Sequence, residues 1–84
     1  MQVRIHFFAS LRDELGDSQT VEAVEALPGE TSVSALREAV AALSPAAARL
    51  GRRLLVAVNE RYATDADPVR PGDSVAFLPP LAGG

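Results

Sequence analysis

Eighty-four residues, 48% hydrophobic and 23% charged, make one small globular domain with a modest core. A net charge of −3 argues against nucleic acid as the main partner, and the lack of cysteine removes disulfides, thiolate metal sites and thiol nucleophiles. No apolar stretch is long enough to span a membrane and no signal-peptide pattern opens the chain, so the expected location is the cytoplasm.

In chain order, QVRIHFF at 2–8 alternates Val3, Ile5 and Phe7 against Gln2, Arg4, His6 and Phe8, which is a strand with one apolar face. SLRDEL at 10–15 predicts a short helical turn, with Ser10 as a possible cap and Gly16 as its stop. SQTVEAVEALPG fits either period. Val21, Val24 and Leu27 have helical spacing, whereas Thr20, Glu22, Val24 and Ala26 could share one strand face. A strand is preferred, because the short turn before it would return the chain antiparallel to the first strand. Ser32 then predicts the cap of a helix to about Leu43, with Val33, Leu36, Val40 and Leu43 as its apolar stripe and Arg37 and Glu38 in water. Ser44-Pro45 reads as a second cap with proline at the first helical position, and Gly51 ends that helix.

LLVAVN at 54–59 is short, nearly continuous in apolar residues and β-branched, so it reads as a buried strand. Asn59-Glu60 turns it into a short strand at 61–63, DADP is polar loop, and Pro71-Gly72 signals a type II turn before a last strand, SVAFL. This order predicts a single α+β domain over 1–84: a mixed sheet packed on one main helix.

Residues able to do chemistry are scarce. His6 is the sole histidine, so no histidine pair can bind a metal, and it reads as a half-exposed strand residue. Asp65 and Asp67 could attract a cation but read as loop solvation, and Arg52-Arg53, the one basic cluster, as a solvated edge. All eight basic residues are arginine, so no lysine amine on this chain could attack an activated carboxyl group of its own. There is no nucleophile elbow and no phosphate-binding loop.

Attention therefore falls on 79–84, Pro-Pro-Leu-Ala-Gly-Gly, an expected extended tail. Gly83 and Gly84 lack a β-carbon and form the slimmest peptide that can enter a closed cleft. Glycine usage of ~7% gives such an ending about once in two hundred chains by chance, so the dipeptide alone is weak and its context matters. Pro79 and Pro80 favour extended geometry, which lowers the entropy lost when a partner orders the tail. Extended, that stretch reaches roughly 20 Å. The reactive group of the tail is the Gly84 α-carboxylate, anionic at neutral pH and a poor electrophile until it carries a leaving group such as AMP. Activation would have to come from another protein.

With these residues in view, the chain resembles the small, sulfur-carrier subunit of molybdopterin synthase over nearly its whole length. VRIHFFASLRDELG, TSVSALREAVAAL, LLVAVNERYA and RPGDSVAFLPPLAGG match that family's segments in order, the last most specifically. Leu81 stands where valine is usual, and SQTVEAVEAL is slightly long.

The resemblance implies a ubiquitin-like β-grasp fold and a carrier that is not catalytic alone. It implies that an E1-like adenylyltransferase uses ATP to activate Gly84, that a sulfur donor enzyme converts it to a thiocarboxylate, and that the tail gives sulfur to cyclic pyranopterin monophosphate in the large synthase subunit. Two small and two large subunits would form a heterotetramer, and the chain itself would bind no cofactor. Gly84 would carry the sulfur, and Pro79, Pro80, Leu81, Ala82 and Gly83 would thread the cleft. Phe8 and Leu78 alternate off the apolar strand faces, and with Tyr62 they are the expected partner-binding patch; otherwise they are ordinary core or scattered surface residues. Arg12 is a further expected partner contact. Sulfur carriers for thiazole or tRNA thiolation share the Gly-Gly chemistry, and a ubiquitin-like protein modifier or a plain interaction module are the other classes.

Overall fold

The computed structural model describes residues 1–80. Strand β1 (Gln2–Phe7) buries Val3, Ile5 and Phe7 and exposes the residues between them, as the period-two pattern requires. Helix α1 (Ser10–Leu15) buries Leu11 and Leu15, and the Gly16 N–H closes it on the Arg12 carbonyl at 2.8 Å. Ser10 is not the cap. It lies inside the helix, and the capping position falls to Ala9, at φ 53° with no side-chain bond to offer.

Strand β2 (Ser18–Glu22) runs antiparallel to β1, with Val3 opposite Val21, so the first five residues of the ambiguous segment are strand and the rest, 23–29, is loop with one isolated bridge from Leu27 to Glu30. Its inward residues are Val21 and then Ala23, while Val24 is exposed. Strand β3 (Thr31–Ser32) leads directly into helix α2 (Val33–Ala41). The Ser32 hydroxyl accepts the Ala35 N–H at 3.1 Å, and Val33, Leu36 and Val40 form the buried stripe. Leu43 lies beyond the last helical turn and is 47% exposed, so it does not extend that stripe.

Ser44 caps α3 (Pro45–Leu50), which a turn of 3-10 helix (Gly51–Arg53) joins to β4 (Leu55–Val58). Ser44 also donates to Glu14 Oε1 at 2.7 Å, tying α3 to α1. Arg37 is not in water. Its guanidinium donates to Asp65 at 3.0 Å and to the carbonyls of Gly51 and Leu54 at 2.9 and 2.7 Å, clamping the entry into β4.

Asn59 and Glu60, both at positive φ (52° and 67°), turn the chain into β5 (Arg61–Tyr62). A two-residue strand β6 (Pro68–Val69) pairs with β3, a small second sheet that the sequence pattern did not announce. Gly72, at φ 89°, supplies the left-handed residue of the Pro71-Gly72 turn, and β7 (Val75–Leu78) follows.

The main sheet has the order β2-β1-β7-β4-β5. The last strand thus occupies its centre, parallel to β1 and antiparallel to β4. One sheet face meets α2. There Ile5, Phe7, Val56, Val75 and Phe77 are buried with Val33, Leu36 and Val40, and the Phe7 and Phe77 rings meet edge to face at 6.3 Å. Each such fully buried side chain contributes about 1.5–3 kcal/mol. No helix among the described residues is long and apolar enough to cross a membrane.

Candidate functional site

Among the described residues there is no cleft for a small ligand and no group of three histidine or carboxylate side chains placed to hold a metal. Asp65 is paired with Arg37 at 3.0 Å and lies 3.8 Å from Arg52, while Asp67 accepts the Thr64 N–H at 2.8 Å. Their carboxylates serve the loop. The remaining candidate is the sheet face turned away from α2, together with the chain that leaves it.

Register places that face residue by residue, because partners across a ladder point to the same side. Leu55 lies opposite Leu78, and the Phe8 N–H continues the parallel ladder by donating to the Phe77 carbonyl at 3.3 Å. Phe8, Leu78 and Leu55 therefore form one row across β1, β7 and β4. The next row runs Ser18, His6, Ala76, Ala57, Tyr62. Beyond it stand Thr20 and Arg4, with Arg4 Nη1 donating to Ser18 Oγ at 2.8 Å.

The two rows nearest the exit of β7 are mostly apolar and uncovered. Phe8 is 46% and Tyr62 70% exposed, and Leu55, Ala57, Ala76 and Leu78 are half-covered. Contiguous exposed apolar strips are a common feature of protein contact surfaces.

Pro79 and Pro80 follow directly from Leu78 and are half-buried at the edge of this strip. Proline there cannot extend the ladder, so the chain leaves the sheet at Leu78. The tail root lies between the end of β1, with Phe8, and the start of β4, with Leu55. Ala9, next to Phe8, holds φ 53° and ψ −130°, a strained conformation for a residue with a β-carbon, at the bend from β1 into α1. Arg12, on α1, is exposed, with its Nε 3.7 Å from Asp17 Oδ1. Leu81, Ala82, Gly83 and Gly84 lie outside the described residues.

Of the residues expected to act together, Phe8, Leu78 and Tyr62 share this face, with Pro79 and Pro80 at its edge, while Arg12 stands on α1. Leu55, Ala57 and Ala76 also line it, and sequence reasoning missed them. Their signal was present. LLVAVN and VAFL are apolar at both parities, which suits strands covered on two sides, and α2 covers only one.

At the opposite end of β7, Asn59 Nδ2 donates to Asp73 at 3.1 Å, its Oδ1 accepts the Ser74 N–H at 2.9 Å, and Asp73 also accepts the Arg70 N–H at 2.8 Å. The Arg70 amide first, then the Asn59 amide, hold the Asp73 carboxyl below its ordinary range.

Comparison with known proteins places this arrangement. Residues 5–84 match the ThiS family. The chain is 37% identical to the molybdopterin synthase sulfur carrier subunit of Escherichia coli (strain K12), over 98% of this chain and 99% of the relative. It is 32% identical to the subunit of the same name from Chlamydomonas reinhardtii over the full length of both. Among solved structures, SAMP1 of Haloferax volcanii superposes with a TM-score of 0.75 at 24% identity, covering all of both chains. A chain of the complex of subunits 1 and 2 of the molybdopterin-converting factor of Helicobacter pylori 26695 superposes with a TM-score of 0.64 at 20% identity, again over all of both. The mixed sheet on one main helix is the β-grasp, ubiquitin-like fold. In sequence and in fold, this chain belongs to the ThiS family, with the molybdopterin synthase sulfur carrier subunits among its relatives.

Proposed function

We propose that the chain is the sulfur carrier subunit of a molybdopterin synthase, working in the cytoplasm. Its Gly84 carboxylate attacks the α-phosphate of ATP on an E1-like adenylyltransferase, and pyrophosphate leaves. Sulfur delivered at the sulfide level by a donor enzyme then attacks the acyl carbonyl and displaces AMP, leaving a thiocarboxylate. In the large synthase subunit, the carrier's sulfur replaces an oxygen substituent on a carbon of cyclic pyranopterin monophosphate, the carbon–oxygen bond breaking as the carbon–sulfur bond forms. Water then cleaves the carbonyl–sulfur bond at Gly84, and the carboxylate returns. Two such transfers build the dithiolene, within a heterotetramer of two small and two large subunits.

The observation that carries this reading is the placement of the tail root. The central strand of the sheet ends beside an uncovered apolar strip, so a partner that docks on Phe8, Leu78, Leu55 and Tyr62 receives the tail at a fixed point. Anchoring the root in a central strand and stiffening it with Pro79-Pro80 reduces the freedom lost on threading. Pro79, Pro80, Leu81, Ala82 and Gly83 span the cleft in this reading, and Arg12 lies at the rim of the interface.

The test is the intact mass of the chain after incubation with its host's adenylyltransferase, ATP and a sulfur source. The expected result is exchange of one oxygen for sulfur, mapped to the Gly84 peptide and absent when Gly84 is deleted. An unmodified mass, with the adenylyltransferase active on another carrier, sinks the reading. Amide conjugates on a denaturing gel would instead indicate a protein modifier, and sulfur transfer to a thiazole or tRNA acceptor a different pathway.

A further inference from the structure

His6 occupies an unusual place on the uncovered face. It stands in the second row between Ser18 of β2 and Ala76 of β7, with Phe8 on one side along β1 and Arg4 on the other. Every other residue that β7, β4 and β5 add to the first two rows is apolar or, at Tyr62, aromatic.

The charges around His6 are one-sided. The chain carries a net charge of −3, yet the paired strand residues of the three rows nearest the tail root include Arg4 and His6 and no carboxylate. Glu60 stands in the β4–β5 turn, beyond Asn59 at the far end of the third row. Arg4 is two positions from His6 on the same face and reaches across to Ser18 at 2.8 Å. On the β2 side the acid in register is Glu22, opposite Gln2 in the farthest row, where its Oε1 meets the N-terminal ammonium at 3.1 Å. Asp17, just before β2, faces Arg12 at 3.7 Å, and Asp73 at the turn end is engaged by Asn59 and the Arg70 amide. Thr20, Ser18 and Ser74 are the remaining polar neighbours and do not titrate near neutrality.

An apolar partner laid over this row would strip water from the imidazole and leave its N–H without an acceptor, at a cost that opposes docking. A carboxylate facing it restores the hydrogen bond, gains from charge assistance and offsets the repulsion between imidazolium and the Arg4 guanidinium. We propose that His6, supported by Arg4, makes this face selective for a partner that sets a carboxylate into an otherwise apolar contact. The inference deepens the docking reading above and depends on it.

The consequence is a sign. An imidazole facing a carboxylate holds its proton more tightly, so docking takes up a proton and tightens as the pH falls through the histidine range. The experiment is calorimetric titration of the large synthase subunit of the same organism with the full chain and with His6→Gln, between about pH 6 and pH 8. The full chain is expected to tighten about five- to tenfold toward the acid end, the change that a one-unit shift on docking produces. His6→Gln is expected to stay near the alkaline affinity of the full chain, within about twofold across the range, and to lose the proton uptake read from buffers of different ionisation enthalpy. His6 points off the core, so matched thermal unfolding of the two proteins controls for the fold. Tight docking with no difference between the two pH curves overturns the role of His6 and leaves the docking face standing. Weakening of the full chain toward acid overturns it too. Failure of both proteins to bind at any pH removes the docking reading itself.

Discussion

Phe77 and Leu78 are neighbours on the central strand and meet opposite surroundings. Phe77 is fully buried against Phe7 and α2, whereas Leu78 is half-covered in the row between Phe8 and Leu55. The two faces of the sheet are comparably apolar along β7 and β4, yet only one is covered by the chain itself. What separates them is cover: α2 lies over one face within the chain, and in the function proposed above another protein lies over the other. Stability is therefore concentrated on the inner face, and the proposed function assigns association to the outer.

Breaking the inner face has the largest effect. Phe77→Ala removes a ring from the centre of a close-packed core and is expected to destabilise the domain by about 3–5 kcal/mol. A chain of 84 residues has little stability beyond that, so the variant should be largely unfolded at room temperature, as circular dichroism in a urea series would read. A loss below about 1 kcal/mol would mean that the inner layer tolerates a cavity this close-packed arrangement forbids.

Breaking the outer face should leave the fold and lower docking. Phe8→Ala removes a ring that is already 46% exposed, so its stability cost is expected below about 1 kcal/mol. Its loss of affinity for the large synthase subunit is expected at about ten- to thirtyfold, the scale of an aromatic anchor in an interface. Equal losses in stability and affinity would mean that the two faces are not separable. The pair Phe77→Ala and Phe8→Ala, measured side by side, sharpens the contrast more than either alone.

Much of the inner face is legible in the sequence, since its signals are local. Val3, Ile5 and Phe7 alternate, Ser32 and Ser44 stand where hydroxyls satisfy the first N–H groups of a helix, and Gly72 sits where a turn needs positive φ. Misreadings arise where distant chain decides. Leu43 continues a helical spacing, but the helix has ended, so the residue is swung outward. Arg37 resembles a solvated helix residue until Gly51, Leu54 and Asp65 come to it from later in the chain. The β3–β6 ladder is two residues long on each side, too short for any period. The outer face suffers from the same limit in another form. Its rows join Phe8, Leu55 and Leu78, which lie far apart in sequence, and only the parallel placement of β7 between β1 and β4 brings them together.

The smallest effect belongs to the end of β7 away from the tail. The Asp73 carboxyl is held below its ordinary range by hydrogen bonds from the Arg70 and Asn59 amides, partly opposed by desolvation. A depressed carboxyl contributes stability that is fully present above the ordinary carboxylate range and is lost as the pH falls through its native value. Asp73→Asn is thus expected to lower stability by less than about 1 kcal/mol near neutral pH, because the group is well solvated and its bonds are few. The difference from the unsubstituted protein should shrink as the pH falls through the carboxylate range, where the native carboxyl is itself protonated. Thermal unfolding at neutral and acid pH would read both. Docking affinity should not change, since this turn stands at the opposite end of β7 from the row of Phe8, Leu78 and Leu55. A drop in affinity with stability intact would extend the association surface to the far end of the sheet, and the division of the outer face into an apolar docking end and a purely structural turn end would be wrong.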